Sequence, residues 1–292
     1  MFKKLATFTA LVLVLPISSA LAVTKWWDDG DTGDHLWSSD ANWYADGEPT
    51  SSDNVYLIDG TKTQDVPGVT IVDHLTAACN DLRVVYNQGD AHELRINSGG
   101  LLEVVGDLYG AIANYDVTAT ITINSNGKLL CSDATEVTRL SHPTLSSAEP
   151  VGVLQMSGGV FDVAGKFEVS RSGAAGPYHG IVHLDSGTIY CNEFYIRSGA
   201  VDDSMDISAG VLYVKGDVQD DFTNGGSTGY IDRGLITPGA GYSLVVTTET
   251  LSSPAAGSGL YTKVYATAIP EPGTMLLAGF GVLILLVSRR KR

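Results

Sequence analysis

The segment from residue 26 to residue 49 concentrates side chains that could bind a ligand. Its acidic residues are interleaved with Gly30 and Gly33, and carboxylates clustered on a flexible loop are the oxygen ligands that Ca²⁺ takes. The candidate calcium ligands are Asp29, Asp31 and Asp34. The EF-hand template is not met, because its third ligand position lacks Asp or Asn and its closing Glu is missing. An acidic, solvated turn is therefore the alternative.

The same segment contains all four tryptophans of the chain: Trp26, Trp27, Trp37 and Trp43. Two interpretations fit them. The rings could form an aromatic cap, over residues 23–53, that closes an open end of the fold. Alternatively, exposed indole faces could stack on pyranose rings and provide a carbohydrate contact. The burial of the rings decides between these interpretations.

Three cysteines, Cys79, Cys131 and Cys191, are spaced far apart. An odd number at such spacing excludes a dense disulfide framework. Cys131 and Cys191 occupy repeat positions that hold Val in other copies, so they are predicted to be small buried side chains, and a disulfide between them is a second possibility. A nucleophilic thiol would need a positive, partly exposed setting. No catalytic residue is predicted.

The N-terminal residues have the three parts of a secretory signal. Lys3 and Lys4 form a positive region, residues 5–15 are apolar, and Ala20 and Ala22 form an A-x-A cleavage site. Residues 1–22 are therefore predicted to be a signal helix, cleaved after Ala22, and the chain is predicted to be exported.

The C-terminal residues combine a rigid turn, an apolar run and a basic cluster. Pro270 and Pro272 deny backbone donors and hold Glu271 extended, a conformation that suits a protease cleft. The apolar run over 275–287 would span about 20 Å as a helix, which is short for a hydrocarbon core of about 30 Å. The positive-inside rule places the final bases in the cytoplasm: Arg289, Arg290, Lys291 and Arg292.

This arrangement resembles the PEP-CTERM sorting signal of Gram-negative bacteria, over about residues 268–292. The resemblance implies recognition by an exosortase, an inner-membrane intermediate held by a short transmembrane helix, and removal of the tail. It also implies delivery to the cell envelope or the extracellular matrix. The residues to which it assigns sorting and processing are Pro270, Glu271, Pro272, Arg289, Arg290, Lys291 and Arg292.

The charge of the body narrows the choice of partners. The two terminal segments hold six of the 18 bases and one of the 33 acids, which leaves 12 bases, 32 acids and a net charge of −20 for the rest. Nucleic acid and anionic lipid are therefore poor partners. The predicted partners are the processing enzyme, the membrane before processing, and exopolysaccharide.

Five segments of the body share one template of alternating apolar residues, a Gly turn and an alternating strand. Counted from the turn glycines, the second residue is apolar in every copy: Leu102, Leu129, Phe161, Ile189 and Leu212. The fourth residue is Val or Cys: Val104, Cys131, Val163, Cys191 and Val214. Period-two alternation means strands with one buried face, and repeats of 23–32 residues are typical of a solenoid.

The predicted fold is all-β: a single-stranded parallel β-helix of six or seven rungs over residues 54–228. Residues 229–267 are predicted to add one or two closing strands over the last rung. An antiparallel sandwich or jelly roll is the alternative, since hairpins also favour Asn-Gly turns. The opening pattern resembles that of exported β-helix proteins, including autotransporter-type adhesins: Trp37, Asn42, Trp43, Pro49, Asp53, Val55 and Leu57.

Two function classes remain open at this point. The first is a structural or interaction protein of the cell surface or exopolysaccharide matrix, without catalytic activity. The second is a polysaccharide-active enzyme, a lyase or hydrolase, or a carbohydrate-binding module, because the fold does not settle the function. An enzyme would need a carboxylate pair or a Ca²⁺ site beside a base on the outer surface.

Overall fold

The computed structural model describes residues 23–30, 33–44, 47–58, 68–87, 91–113, 116–143, 149–170, 179–197, 203–224 and 228–269. The predicted signal helix, and the sorting residues from Pro270 onward, lie outside these ranges. So does one candidate calcium ligand, Asp31.

The described residues are mainly β-strand, with 62% in strands and 3% in helices. In chain order the strands are β1 Thr24–Trp26, β2 Asn54–Ile58, β3 Gly68–Val72, β4 Ala77–Cys79, β5 Leu82–Asn87, β6 His92–Ile96, β7 Leu101–Val104, β8 Leu108–Ala113, β9 Thr118–Ile123, β10 Lys128–Cys131, β11 Val137–Pro143, β12 Val151–Ser170, β13 His179–Tyr195, β14 Ser204–Ile207, β15 Val211–Lys215, β16 Ile236–Pro238, β17 Tyr242–Ser253 and β18 Gly257–Ala268. One α-helical turn, α1, spans Gln219–Phe222, and a 3-10 turn spans Asp40–Asn42.

The strands stack on three faces of a parallel coil of about 6 turns. The first face contains β3, β6, β9, the starts of β12 and β13, β14 and β16. The second contains β4, β7, β10, the middle parts of β12 and β13, and β15. The third contains β1, β2, β5, β8, β11 and the ends of β12 and β13. Successive copies run parallel, so the predicted parallel β-helix is confirmed and the antiparallel alternative is wrong.

The repeat template forms the second face. Leu102 pairs in register with Leu129, Leu129 with Phe161, Phe161 with Ile189, and Ile189 with Leu212. The Val and Cys positions form a second column beside it, which Cys79 extends by pairing with Val104. Every member of both columns is buried. The predicted buried face is therefore present, and stacking of equivalent positions explains why the template recurs.

The turn glycines are needed because backbone from the preceding turn of the coil passes close to them. A Cβ on Gly100 would lie 2.4 Å from the Val72 carbonyl oxygen, and one on Gly127 would lie 2.8 Å from that of Ile96. The polar turn residues also stack, since Asn124 Nδ2 donates to Asn97 Oδ1 at 3.0 Å. Residue type at the turn is thus set by contact between successive rungs.

The N-terminal segment contributes to the coil as well as covering its end. Strand β1 pairs parallel with β2, and Leu36 forms a parallel bridge with Ile71. The parallel ladder therefore starts inside the segment 23–53 that the sequence assigned to the cap.

A β-hairpin covers the other end. Strand β16 extends the first face to Pro238, beyond the predicted end of the rungs at residue 228. Strands β17 and β18 then pair antiparallel with each other, and β18 pairs antiparallel with β15. The hairpin tip also folds over outward residues of the second face, so that Asp162 is 0% exposed and Tyr213 is 8% exposed. The sequence does not predict this burial, because an alternating pattern shows on which side of a strand a residue lies but not what covers that side.

Candidate interaction surface

One outward row on the third face contains aromatic and charged side chains. Strand pairing places seven residues in consecutive register, one from each strand of the face. We call this row the ladder, and its members are Trp26, Tyr56, Arg83, Tyr109, Arg139, Glu168 and Tyr195. Every member except Glu168 is partly exposed, so the row forms a surface of the molecule.

Arg83, the third residue of the ladder, lies among tyrosines. Its guanidinium carbon lies 4.9 Å from the centre of the Tyr56 ring and 5.9 Å from that of Tyr109. Its Nη1 donates to Tyr56 Oη at 2.6 Å. Tyr86 packs edge-to-face against Tyr56, with ring centres 5.3 Å apart. These contacts already fix the arginine in the free protein. Binding of a ligand would therefore cost little further side-chain entropy.

Tyr109 is the middle residue of the ladder and pairs with Arg83 on one side and Arg139 on the other. Its hydroxyl donates to Asp107 Oδ2 at 3.0 Å, and Arg139 Nη1 donates to the same hydroxyl at 3.4 Å. Burial, followed by the charge of Asp107, raises the pKa of Tyr109 to about 12. The phenol is therefore protonated, and a hydrogen-bond donor, at any physiological pH.

Glu168 forms ion pairs with two cations, Arg139 and Lys166. Arg139 Nε donates to it at 2.5 Å, and Lys166 Nζ lies 2.7 Å from its other oxygen. Burial alone raises the pKa of Glu168, but the hydrogen bonds from Lys166 and Arg139 outweigh burial, so this pKa lies below its ordinary value. Lys166 also lies 5.0 Å from the centre of the Tyr195 ring.

The sequence reading did not find the ladder. The repeat template aligns the second face, and the residue types on the third face differ from turn to turn. A weak signal is present, since Asp81-Leu82-Arg83 and Asp107-Leu108-Tyr109 share the order acid, buried Leu, ladder residue. Aligning these segments in the same way as the glycine turns would have placed Arg83 and Tyr109 in one row.

The tryptophans divide into three that close the fold and one that faces outward. Trp27, Trp37 and Trp43 are at most 1% exposed, and Trp43 packs edge-to-face on both of the others at 5.2 and 4.8 Å. Their burial excludes the predicted sugar contact for these three, because no ring face is open to a ligand. Trp26 is partly exposed, begins the ladder and contacts Tyr44 at 6.0 Å.

The acidic candidates in the cap make hydrogen bonds within the cap. Asp29 Oδ1 lies 2.9 Å from His35 Nδ1. Asp34 Oδ1 accepts from Asn42 Nδ2 at 2.7 Å and from the Leu36 amide at 3.0 Å. Among the described residues no group of three or more His, Cys, Asp or Glu side chains could hold a metal ion. Because Asp31 lies outside these residues, calcium binding by the loop stays a prediction.

The thiols of Cys79, Cys131 and Cys191 are free and buried. Burial raises the pKa of Cys131 to about 12 and also raises the pKa values of Cys79 and Cys191. The thiolate is thus strongly disfavoured at neutral pH, which is the opposite of what a nucleophile needs.

The last ladder residue also lines a cavity of about 250 Å³ next to α1. Asp220, Asp221 and Arg233 line this cavity, and the Arg233 guanidinium carbon lies 5.4 Å from the Tyr230 ring centre. Burial, followed by the charge of Asp221, raises the pKa of Tyr230. The cavity therefore brings two aspartates and an arginine to one end of the ladder.

The comparison with known proteins identifies the C-terminal segment. The family model for the PEP-CTERM protein-sorting motif matches residues 268–292. The chain carries a PEP-CTERM sorting signal. The motif marks an exported protein that is handled at the membrane and processed by an exosortase. No curated protein and no solved structure matches the chain.

Within the described part of the chain, no helix is long and apolar enough to cross a bilayer. The predicted sorting helix lies outside that part, as do Glu271 and the final four bases. The structure therefore describes the body that precedes the signal.

Proposed function

We propose that the processed protein is a structural or interaction protein of the cell surface or the exopolysaccharide matrix of a Gram-negative bacterium. In this proposal the coil has no catalytic activity of its own. It acts as a spacer that carries the ladder, and the sorting signal delivers it to the outside of the cell.

The observation that carries the proposal is a continuous row of aromatic and charged side chains on a chain with a sorting signal. Tyr, Trp and Arg are the residues most enriched at binding hot spots, and the ladder places them on adjacent strands. The coil itself supplies rigidity, because each rung pairs with its neighbours and shares one interior. A rigid rod with one binding row is suited to holding an extended polymer.

Fractionation of cells that contain an exosortase tests this function. We expect the wild-type protein in the surface or matrix fraction, and we expect enzymatic digestion of the exopolysaccharide to release it. Substitution Glu271→Ala in the sorting triplet should retain the protein at the inner membrane. The matched control Glu149→Ala, at an exposed acid of the body, should behave like wild type. Recovery of the wild-type protein in the periplasm, unaffected by digestion, would contradict the proposal.

A polysaccharide-active enzyme is the second candidate, and the cavity beside α1 favours it. Asp220 and Asp221 could provide an acid and a base there, with Arg233 stabilising charge. New reducing ends would reveal a hydrolase, and an unsaturated ultraviolet-absorbing product would reveal a lyase. Activity that Asp221→Asn abolishes and Asp217→Asn preserves would favour the enzyme over the non-catalytic protein. If neither product forms from any polymer that the protein binds, the enzymatic function is excluded.

A further inference from the structure

The ladder is a one-dimensional array along the axis of the coil. Its seven positions occupy neighbouring strands, and with about 4.8 Å between strands the row is about 29 Å long. It is held by aromatic and charged residues, and no aliphatic residue stands in the row. A protein interface instead has an apolar core surrounded by a polar rim. The shape and chemistry of the row therefore fit an extended polymer better than a globular partner.

The charges of the ladder argue against an anionic polymer. Glu168 forms ion pairs with Arg139 and Lys166 at 2.5 and 2.7 Å, and Asp81 lies 3.6 Å from Arg83. Asp107 adds a further carboxylate next to Tyr109. Each cation of the row thus already faces an acid of the protein. A polyuronate would have to displace these carboxylates and approach a body of net charge −20.

The residue types of the ladder suit a ligand rich in hydroxyls. Tyrosine hydroxyls donate and accept hydrogen bonds, and arginine presents several donors in a rigid plane. Aromatic rings provide contact area at low entropic cost because they have few rotatable bonds. The contacts of Arg83 with Tyr56, Tyr86 and Tyr109, at 4.9 to 5.9 Å, hold this surface in place before binding.

We propose that the ladder binds a neutral polysaccharide that lies along the axis of the coil, from Trp26 to Tyr195. The inference rests on the proposed function, in which the protein meets extracellular glycan, and it names the class of glycan and the residues that contact it. Trp26 is in this way the one tryptophan of the four that contacts sugar.

Affinity electrophoresis of the purified full chain in mild detergent tests the inference. The gels would contain a β-glucan, an α-glucan or a galactomannan as neutral polymers, and a polyuronate with and without Ca²⁺. We expect retardation by at least one neutral polymer, unchanged up to about 1 M NaCl, where the Debye length falls to about 3 Å. Retardation by the polyuronate alone, binding that requires Ca²⁺, or no retardation in any neutral gel would overturn the inference.

Two ladder variants and a matched control assign the binding site. Trp26→Ala and Tyr109→Ala should each weaken binding about tenfold or more. Tyr242→Ala, which removes a half-buried tyrosine from the closing hairpin, should leave binding unchanged. Tyr109→Phe keeps the ring and guards against a folding defect, and we expect it to bind between wild type and Tyr109→Ala. Wild-type affinity in both alanine variants would place the site elsewhere.

The two proposals fail separately. Binding is measured on purified protein, so loss of surface localisation with intact binding would count against the proposed function alone. Correct localisation without retardation in neutral gels would count against the ladder alone. If the purified protein binds no glycan but captures a host protein, the partner of the ladder would be a protein and not a polysaccharide.

Discussion

At the residue scale, Asp162 fastens the closing hairpin to the coil. Its carboxylate accepts hydrogen bonds from the backbone amides of Ala255 at 2.9 Å and Ala256 at 3.0 Å, and from the Ser253 hydroxyl at 3.2 Å. The residue is fully buried. A buried carboxylate is tolerated here because the hairpin tip supplies donors in place of water.

Substitution Asp162→Ala should therefore destabilise the protein by about 1–3 kcal/mol, since it leaves buried amides without acceptors. Urea unfolding measures the loss, and hydrogen exchange at Ala255 and Ala256 locates it. The control Asp185→Ala removes an exposed carboxylate that accepts from Gln155 at 2.7 Å and should cost less than about 0.5 kcal/mol. Equal costs for the two variants would show that Asp162 does not hold the tip.

The buried thiols predict a stability that decreases at alkaline pH. The pKa of Cys131 is raised from 9.0 to about 12 in the folded protein, so the unfolded chain loses its proton first. The contribution is fully present below the unfolded pKa of about 8.5 and is lost as the pH rises toward the folded value. Above about pH 9 each such thiol should lower the free energy of unfolding by about 1.4 kcal/mol per pH unit.

Cys131→Val isolates this effect, because Val104 and Val163 occupy the same column on either side. We expect urea unfolding of the variant to match wild type at about pH 7 and to fall less steeply between about pH 8 and 10. Identical slopes for the two proteins would mean that the Cys131 thiol is not protected from deprotonation.

At the element scale, the carbonyl of Leu140 in β11 approaches glycines on neighbouring strands. An ideal Cβ on Gly152 in β12 would lie 1.8 Å from the Leu140 oxygen, and one on Gly110 in β8 would lie 2.4 Å from it. The backbones are thus closely packed at this rung. Glycine is required there by space, although neither position has a positive φ.

Gly152→Ala should destabilise the protein by about 1–3 kcal/mol or more, because the backbone must shift to admit the methyl group. Thermal or urea unfolding measures the cost. Gly259→Ala is the matched control on β18, since its nearest neighbour would be Cε of the flexible Lys215 at 3.4 Å, and it should be nearly neutral. A neutral Gly152→Ala would contradict the close packing of this rung.

The strand template was predictable, but the interaction surface was not. Leu102, Leu129 and Phe161 repeat one residue class because each stacks on the next, so a single sequence reveals their column. Ladder positions vary between Trp, Tyr and Arg because solvent reaches these side chains, and the buried Glu168 is accommodated by its ion pairs with Arg139 and Lys166. The covering of Asp162 by Ala255 joins residues far apart in sequence, and no local pattern reports such a contact.

At the scale of the whole molecule, the sorting signal and the folded body occupy different parts of the chain. The match to the sorting motif begins at residue 268, which is also the last residue of β18. Removal of the tail would therefore leave the closing hairpin, the coil and the ladder intact.

The intact mass of the protein recovered from the surface of exosortase-containing cells tests the central claim most directly. We expect a product that lacks residues 1–22 and also lacks residues 275–292. We also expect this truncation to require the exosortase. A surface form that still contains Met275 to Arg292 in those cells would contradict an exported, exosortase-processed body.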